Sequence, residues 1–597
     1  MRTVRTTVAA ACLVGAALVG VGIGANPAGA ATLTVTNCND SGSGSLRQAV
    51  ATANPGDTIN FAPSPSCSLI TLSSTIDVSK NLTIDGPGAN ALAVSGNHAN
   101  TVIGITSANA VVVISGLTIE DGFAVAASGG GIDNEGTLTV TNSTVSDNTA
   151  GASGGGIWNG SDTLTVTNST VSNNTSSTLN PGGYYTGQGG GIYNNAGTVA
   201  VTNSTVSNNS AGYGGGGILS NSGTVTVTNS TVSSNSGGPF SSDGEGGGIL
   251  DYSGTVMVIN STLSYNASDG SGGGIWNQDM LTVTNSTLSY NDSASRSPGG
   301  GIYNVGSLTV TNSTVSGNNA GGGGGGIYGS GTITNSTVSN NSAGPYVSQG
   351  GGIYGGGTIT NSTVSNNVLT GVLGSGDGGE SIYSYAGNTS LEATIVGNTN
   401  GMVGACFGVV TDNGYNIGDD GSCGFSGTSI SDSATLDGSL GALANNGGPT
   451  QTIALLSGSP AIDKVPAADC PATDQRGVAR TAPCDIGAYD TDTPVVTGPC
   501  PDSVSRCFTS GNSTSDPVGT SFKFPVTTTG TPTPKITEEG KLPKGVKFNK
   551  STDTLAGTPT STKHKSAAGT YPITFTATFG KGKSKVVVTQ AFTLTIT

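Results

Sequence analysis

Two kinds of side chain in this sequence could do chemistry, and the first is the carboxylate. Glu120, Asp121, Asp133, Asp147, Asp162, Asp251 and Asp279 are spread through its middle. Two carboxyl groups about 6.5–9.5 Å apart could serve as the acid and base of an inverting glycosidase. A lyase acting on uronic-acid sugars would need a base with cations close by to neutralise the substrate's carboxylate. Cations are scarce: Arg296 is the sole Lys or Arg between Lys80 and Lys464, and His98 is the sole His before Gly511. Arg296 lies in NDSASRSPGGG, between two repeats, and reads as a solvated loop charge. Asp133 directly follows a Gly-Gly-Gly-Ile run, whereas Asp251 comes one position later, after Leu250, so the two are out of step. No catalytic residue is assigned from these groups, and no cofactor is implied.

The second kind is the aromatic ring. The position after Gly-Gly-Gly-Ile reads Trp158, Tyr193, Leu219, Leu250, Trp276, Tyr303, Tyr328 and Tyr354 in successive repeats. Strand alternation points these side chains outward. Rings stacked on a flat sheet can take the apolar faces of sugars, so Trp158, Tyr193, Trp276, Tyr303, Tyr328 and Tyr354 are the candidate carbohydrate-stacking residues. The competing reading is that neighbours on a sheet simply stabilise each other.

The elements that must position these rings are written many times over. Gly272–Asn291 reads GGGIWNQDMLTVTNSTLSYN, and Gly299–Asn319 reads GGGIYNVGSLTVTNSTVSGNN. The N-S-T triplet begins at Asn142, Asn168, Asn203, Asn229, Asn260, Asn285, Asn312, Asn335 and Asn361, at intervals of 23 to 35 residues. Such a period means a solenoid, propeller or array. Each unit holds three short period-2 runs, G-I-Y, L-T-V-T and S-T-V-S, with no helical period, which predicts strands. Three short strands per unit of about 25 residues suit the coil of a parallel β-helix, since a propeller blade needs four strands and about 40 residues. Inward Val, Leu and Ile then stack at about 4.8 Å into apolar columns. Roughly a dozen such coils would make a shaft of about 60 Å. The nine triplet asparagines fall at one corner and are expected to form a side-chain amide ladder; the other reading of N-S-T is a glycosylation sequon. The Gly-Gly-Gly runs supply positive φ at a tight corner. The longer intervals place insertions at residues 175–188 and 236–245.

The ends differ from the middle. Residues 1–30 carry Arg2 and Arg5, an apolar run and Ala28-Gly29-Ala30, the order of a secretory signal peptide. Cleavage would leave a chain beginning near Ala31, of formal charge −17 (−15 for the whole chain, less two Arg). No later segment is apolar enough to span a membrane. Of nine Cys, Cys12 would leave with the signal. The other eight, Cys38, Cys67, Cys406, Cys423, Cys470, Cys484, Cys500 and Cys507, are an even set suited to disulfides. Nearest-neighbour pairing, 38–67, 406–423, 470–484 and 500–507, is expected. With no C-x-x-C and no His nearby, metal ligation is not. From Gly511 onward the chain holds eleven Lys against four acidic residues. A long acidic body argues against nucleic acid and polyanionic sugars as partners, while the basic tail suits an anionic cell-wall polymer.

The wording resembles known families. GGGI followed by S-x-x-N resembles the GG-A-I and F-x-x-N repeats of the chlamydial polymorphic outer-membrane proteins, and more broadly right-handed parallel β-helices of the pectin-lyase-like fold. Asn39–Phe61 resembles the N-terminal module of bacterial surface β-helix proteins marked by C-S-L-R-E-A; here Gly44-Ser45-Leu46-Arg47-Gln48-Ala49 departs at two positions. It predicts a short helix capping the first coil. Leu440–Tyr489 resembles the choice-of-anchor Q domain that closes such helices. The end, with Gly557-Thr558-Pro559-Thr560 and TYPITFTATF, resembles bacterial Ig-like domains, which implies a β-sandwich. The expected organisation is a signal at 1–30, an N-terminal cap at 31–80, β-helix repeats at 81–430, a closing domain at 431–495, a Cys-containing linker at 496–510 and an Ig-like sandwich at 511–597. The fold class is all-β, a right-handed parallel β-helix solenoid with a C-terminal Ig-like sandwich. The expected role is that of a secreted or cell-surface monomer, non-catalytic, used for adhesion or carbohydrate contact. The alternative is an extracellular polysaccharide lyase or glycoside hydrolase.

Overall fold

The computed structural model describes residues 30–62, 67–179, 185–238, 245–294, 296–371, 377–397, 403–491, 495–496, 507–508, 513–529, 533–561, 567–580 and 586–596. The signal-peptide expectation and the Cys500–Cys507 pairing lie outside the described residues. Each repeat is one turn of a parallel β-helix. A representative coil runs through Ile275–Asn277, Met280–Thr284, Thr287–Ser289 and Asp292–Ser293. The first two strands join a 26-stranded sheet, the third a 14-stranded sheet and the fourth a 10-stranded sheet; these are the first, second and third sheets below. Coil-to-coil pairing is parallel and in register, as in Leu281↔Leu308 and Val283↔Val310.

The 14 strands of the second sheet mark 14 turns, a stack of about 65 Å at the strand spacing. This exceeds the expected dozen because five turns, through Leu69–Thr71, Ala93–Ser95, Thr118–Glu120, Ile395–Val396 and Ile417–Gly418, lack the N-S-T triplet. The shaft is apolar inside: Val140, Val166, Val201, Val227, Val258, Val283 and Val310 form one file, each 0% exposed. Each such side chain contributes about 1.5–3 kcal/mol of transfer free energy.

The asparagine expectation needs correction. Asn142 and its eight equivalents hold one position in every coil, but all are left-handed, with φ of 49–52°, and those from Asn142 to Asn260 are exposed. They turn the corner, a conformation Asn tolerates better than most residues. A long amide ladder is built by the asparagine six residues after each triplet asparagine: Asn148 donates to Asn174, which donates to Asn209, and so on through Asn235, Asn266, Asn291, Asn318 and Asn341 to Asn367, with Nδ2–Oδ1 distances of 2.9–3.0 Å. The serine of the triplet makes a second file, in which the Ser143 N–H donates to Ser169 Oγ at 3.1 Å and the pattern repeats along the shaft. The glycine runs also do more than turn. Gly299 has φ +74°, but at Gly301 a Cβ would stand 2.6 Å from the Gly326 carbonyl oxygen of the next coil, so this backbone packs directly on backbone.

Both ends are covered. A helix, Leu46–Thr52, is capped by the Ser45 hydroxyl and buries Leu46, Ala49 and Val50. Arg47 ties it down through Asp40 (2.7 Å) and the Thr75 carbonyl (2.7 Å). At the far end, residues after Ile430 fold back along the second sheet. Gln475 accepts from the Thr337 hydroxyl (2.6 Å) and donates to Thr314 Oγ1 (2.9 Å), and Asn335 donates to the Thr473 carbonyl (2.7 Å). Within this segment Arg480 and Asp490 form a wholly buried ion pair at 3.3 Å, and Arg476 bonds Asp474 and lies 3.8 Å over the Tyr489 ring. Disulfides join Cys38 to Cys67, Cys406 to Cys423 and Cys470 to Cys484. The C-terminal unit is a β-sandwich: Phe524 and Phe548 of one sheet meet Phe592 and Phe575 of the other at 4.8 and 5.2 Å. Among the described residues no helix is long and apolar enough to cross a membrane.

Candidate functional site

The first strand of each coil, Ile-x-Asn, sends its middle residue out and the flanking two in. Stacking in register then builds a single outward file: Asp133, Trp158, Tyr193, Leu219, Leu250, Trp276, Tyr303, Tyr328, Tyr354, Tyr383 and Phe407. The rings from Trp276 onward form an unbroken stack, with centroids 6.0, 5.1, 4.5, 4.9 and 4.9 Å apart and planes within 3–21° of parallel. Tyr303, Tyr328, Tyr354 and Tyr383 are half-buried and Phe407 is exposed. Packing of phenol on phenol shows in Tyr354, whose pKa is pushed up to about 12 by burial first and then by Tyr328, Tyr383 and Tyr385.

Sequence reasoning missed Tyr383 and Phe407. Tyr383 follows Ile382 in GGESIY, a run with two glycines replaced. Phe407 follows no glycine run at all.

Polar side chains flank the rings. The residue leading into each glycine run makes its own file, including Ser153, Gln188, Gly214 and Glu245 in parallel bridges. A Cβ on Gly323 would lie 3.3 Å from Tyr354 Cδ2 and 3.6 Å from Gln349 Cβ, which makes this file the immediate neighbour of the rings. Glu245 is near enough to Tyr303 to help raise its pKa, after burial and Tyr328. On the other flank Asn221 donates to Asn195 at 3.3 Å.

Where the ring file is interrupted by Leu219 and Leu250, a pocket opens. Both leucines are 0% exposed, because Tyr252 packs over them with its ring edge-on to Trp276 (5.6 Å, 69°). The Tyr252 phenol shares hydrogen bonds with Tyr213 and Gln188, and burial raises its pKa well above the usual tyrosine value. Ala152, Ser153, Thr186, Gly187, Gln188, Tyr213 and Tyr252 line an open pocket of about 410 Å³. Tyr213 and Tyr252 carry no repeat signal and were not anticipated.

The carboxylates separate into different surroundings. Asp133 heads the ring file and its pKa is pushed up to about 6, by burial first and by Glu135 second. Asp251 points into the shaft and is 0% exposed, so no substrate outside can reach it. Asp279 accepts from the Gly254 N–H (3.0 Å), and Asp121 stands 3.5 Å from His98. Arg296 lies 5.2 Å over the Tyr346 ring. Among the described residues no cluster of His, Cys, Asp and Glu could hold a metal ion.

Fold and site together define a parallel β-helix protein with an Ig-like module. Residues 506–597 match the family model described as "Putative Ig domain". The match begins ahead of Gly511, and Phe508 is correspondingly wholly buried in the sandwich core. No curated protein matches the chain.

Proposed function

We propose that this is an extracellular, non-catalytic β-helix rod that contacts carbohydrate through the ring file from Trp276 to Phe407 and the pocket beside it. The stack of parallel rings, half-buried from Tyr303 to Tyr383 and exposed at Phe407, with Trp276 buried at its head, carries this reading. Since the rings cover one another's faces, a pyranose would pack its apolar C–H face along their outward edges, while amides and carboxylates beside them take its hydroxyls. Gln188, Glu245 and Gln349 stand at those edges. Three disulfides suit an oxidising, extracellular setting, and the acidic body favours neutral over polyanionic sugars. Adhesion of a cell to a polysaccharide surface is the role such a rod would serve. The deciding measurement is binding of the whole protein to a neutral glycan array, repeated with Tyr303→Ala and Tyr328→Ala. Binding reduced at least tenfold by both substitutions is expected; binding unaffected by either would remove the ring file from consideration.

Asp133 supports a second reading, a glycoside hydrolase. A carboxyl group held near 6 beside Glu135, next in file to Trp158, has the environment of a general acid. Release of reducing ends from a neutral polysaccharide, abolished by Asp133→Asn, would favour it over the non-catalytic rod.

A further inference from the structure

Tyr265 and Tyr290 occupy a place in the coil that no other aromatic takes. They sit at the corner between the second and third sheets, where other coils carry Asp147, Asn173, Asn208, Ser234, Gly317, Asn340 and Asn366. The corner is left-handed in every case, with φ of 56° at Tyr265 and 55° at Tyr290. Asn, Asp and Gly accept that conformation; a bulky ring-bearing residue is strained in it. The two rings are nonetheless stacked, 5.1 Å apart and 10° from parallel. They remain 61% and 58% exposed, so they bury little and return less than the strain of two left-handed tyrosines. The next coil makes room for them: a Cβ on Gly317 would lie 2.8 Å from Tyr290 Cε1. Two residues beyond Tyr290, exposed Asp292 accepts from exposed Asn319 of the following coil at 2.6 Å, so a carboxylate and an amide lie open to solvent two residues along from the ring.

We propose that Tyr265 and Tyr290, with Asp292 and Asn319, form a second carbohydrate platform, for a neutral pyranose chain, separate from the ring file on the first sheet. The two rings stack face on face, so the pair's outward edge and outer face take the C–H face of one sugar, and Asp292 and Asn319 accept from its hydroxyls. The pair's exposure and strain are what a binding surface requires and a folding contact does not.

The test needs a background in which the ring file is silent. Whole protein carrying Tyr328→Ala and Tyr354→Ala is titrated calorimetrically with cellohexaose, xylohexaose and chitohexaose, with and without Tyr265→Asn and Tyr290→Asn. Retained binding of at least one hexasaccharide, weakened at least tenfold by the two Asn substitutions, is the expected result. The same substitutions should raise the thermal midpoint, since Asn is the residue four other coils use there and folds without strain. No binding of any of the three sugars in the silenced background, binding unchanged by Tyr→Asn, or a lowered midpoint would each overturn the assignment, the last by making the pair structural.

Discussion

Asp251 and Asn277 stand in register on neighbouring coils, both wholly buried, and no donor reaches either carboxylate oxygen of Asp251 or the side-chain oxygen of Asn277. At three other steps of this column an amide makes the link: Asn134 donates to Asn159 (2.7 Å), Asn159 to Asn194 (2.9 Å) and Asn277 to Asn304 (2.6 Å). An ionised Asp has nothing to donate. A proton on Asp251 would restore the missing donor.

The consequence is a stability that falls as pH rises. Burial, with Asp279 adding to it and Ser220 opposing it, pushes Asp251 up to about 6 from 3.8. Ser220 is its register neighbour, though the two lie outside hydrogen-bond geometry. The folded state therefore binds this proton more tightly than the unfolded one. Its stabilising effect is full below about pH 4 and is lost as pH rises through about 6, an effect of about 3 kcal/mol at most. Asp133 is raised in the same direction, so the comparison must be with Asp251→Asn. That variant should have a higher thermal midpoint than the parent at pH 7.5 and the same midpoint at pH 4. Equal midpoints at pH 7.5 would show that the buried carboxylate is already compensated.

The two asparagines of the repeat should respond very differently to alanine. Asn235 donates to Asn266 Oδ1 (2.9 Å) and to the Val206 carbonyl (3.0 Å), and accepts from the Asn209 amide and backbone. Asn235→Ala orphans several buried groups at about 1–3 kcal/mol each, and the coil stack should melt in two steps by circular dichroism. Asn229→Ala relinquishes only a left-handed turn residue, about 1–2 kcal/mol, and Asn229→Gly should be close to neutral. Equal effects at 229 and 235 would mean that the buried ladder is dispensable.

Period and the direction of the rings were legible because each depends on spacing alone; the fourth strand of the coil, as at Asp292–Ser293, is too short to show alternation, so three strands per unit were expected where there are four. The two asparagine files were not distinguishable that way: Asn142 to Asn168 and Asn148 to Asn174 are both 26 residues apart. What separates them is handedness at the corner. A left-handed residue breaks the in–out alternation, and no count of positions shows where the break falls. Tyr252 and Tyr213 were illegible for another reason, since they lie outside the repeated wording and reach the ring file through tertiary packing. The return of Gln475 onto Thr314 and Thr337 spans 161 and 138 residues and leaves no local mark in the chain.

That return is also the place where one substitution should detach a whole segment. Arg480 is 0% exposed in its side chain and donates to the Asp485 (2.9 Å) and Gly487 (2.6 Å) carbonyls as well as to Asp490. Burial lowers its pKa while Asp490, Asp474 and Asp485 oppose that shift. Arg480→Met strands these buried acids, a loss of about 3–5 kcal/mol. Residues 431–491 should then become sensitive to limited proteolysis while the coils before Asn312 stay resistant. Gln475→Ala, which removes four hydrogen bonds to Thr314, Thr337, Thr450 and Gln451, should give the same cleavage pattern more weakly. Cleavage spread evenly over the coils would mean that the closing segment and shaft unfold as one unit.

Charge is divided unevenly along the chain. Residues 511–597 hold eleven Lys and four acidic residues, a net +7, so with +2 in residues 1–30 and −15 overall the stretch 31–510 carries −24. Lys523, Lys535, Lys541, Lys544, Lys547 and Lys550 are all exposed on the sandwich, and none of them is drawn into an ion pair with the shaft's acids among the described residues. A module so charged, attached to a body of opposite sign, should hold to an anionic wall polymer by its tail alone while the shaft is repelled outward. Surface attraction of this kind is screened, since the Debye length shrinks from about 10 Å at 0.1 M salt to about 3 Å at 1 M. The whole protein should therefore sediment with cell-wall fragments at ~50 mM salt and be released well below 1 M. Changing Lys541, Lys544, Lys547 and Lys550 together to Gln should abolish sedimentation at low salt without altering binding to neutral sugars. Retention at 1 M salt would point to a contact other than charge.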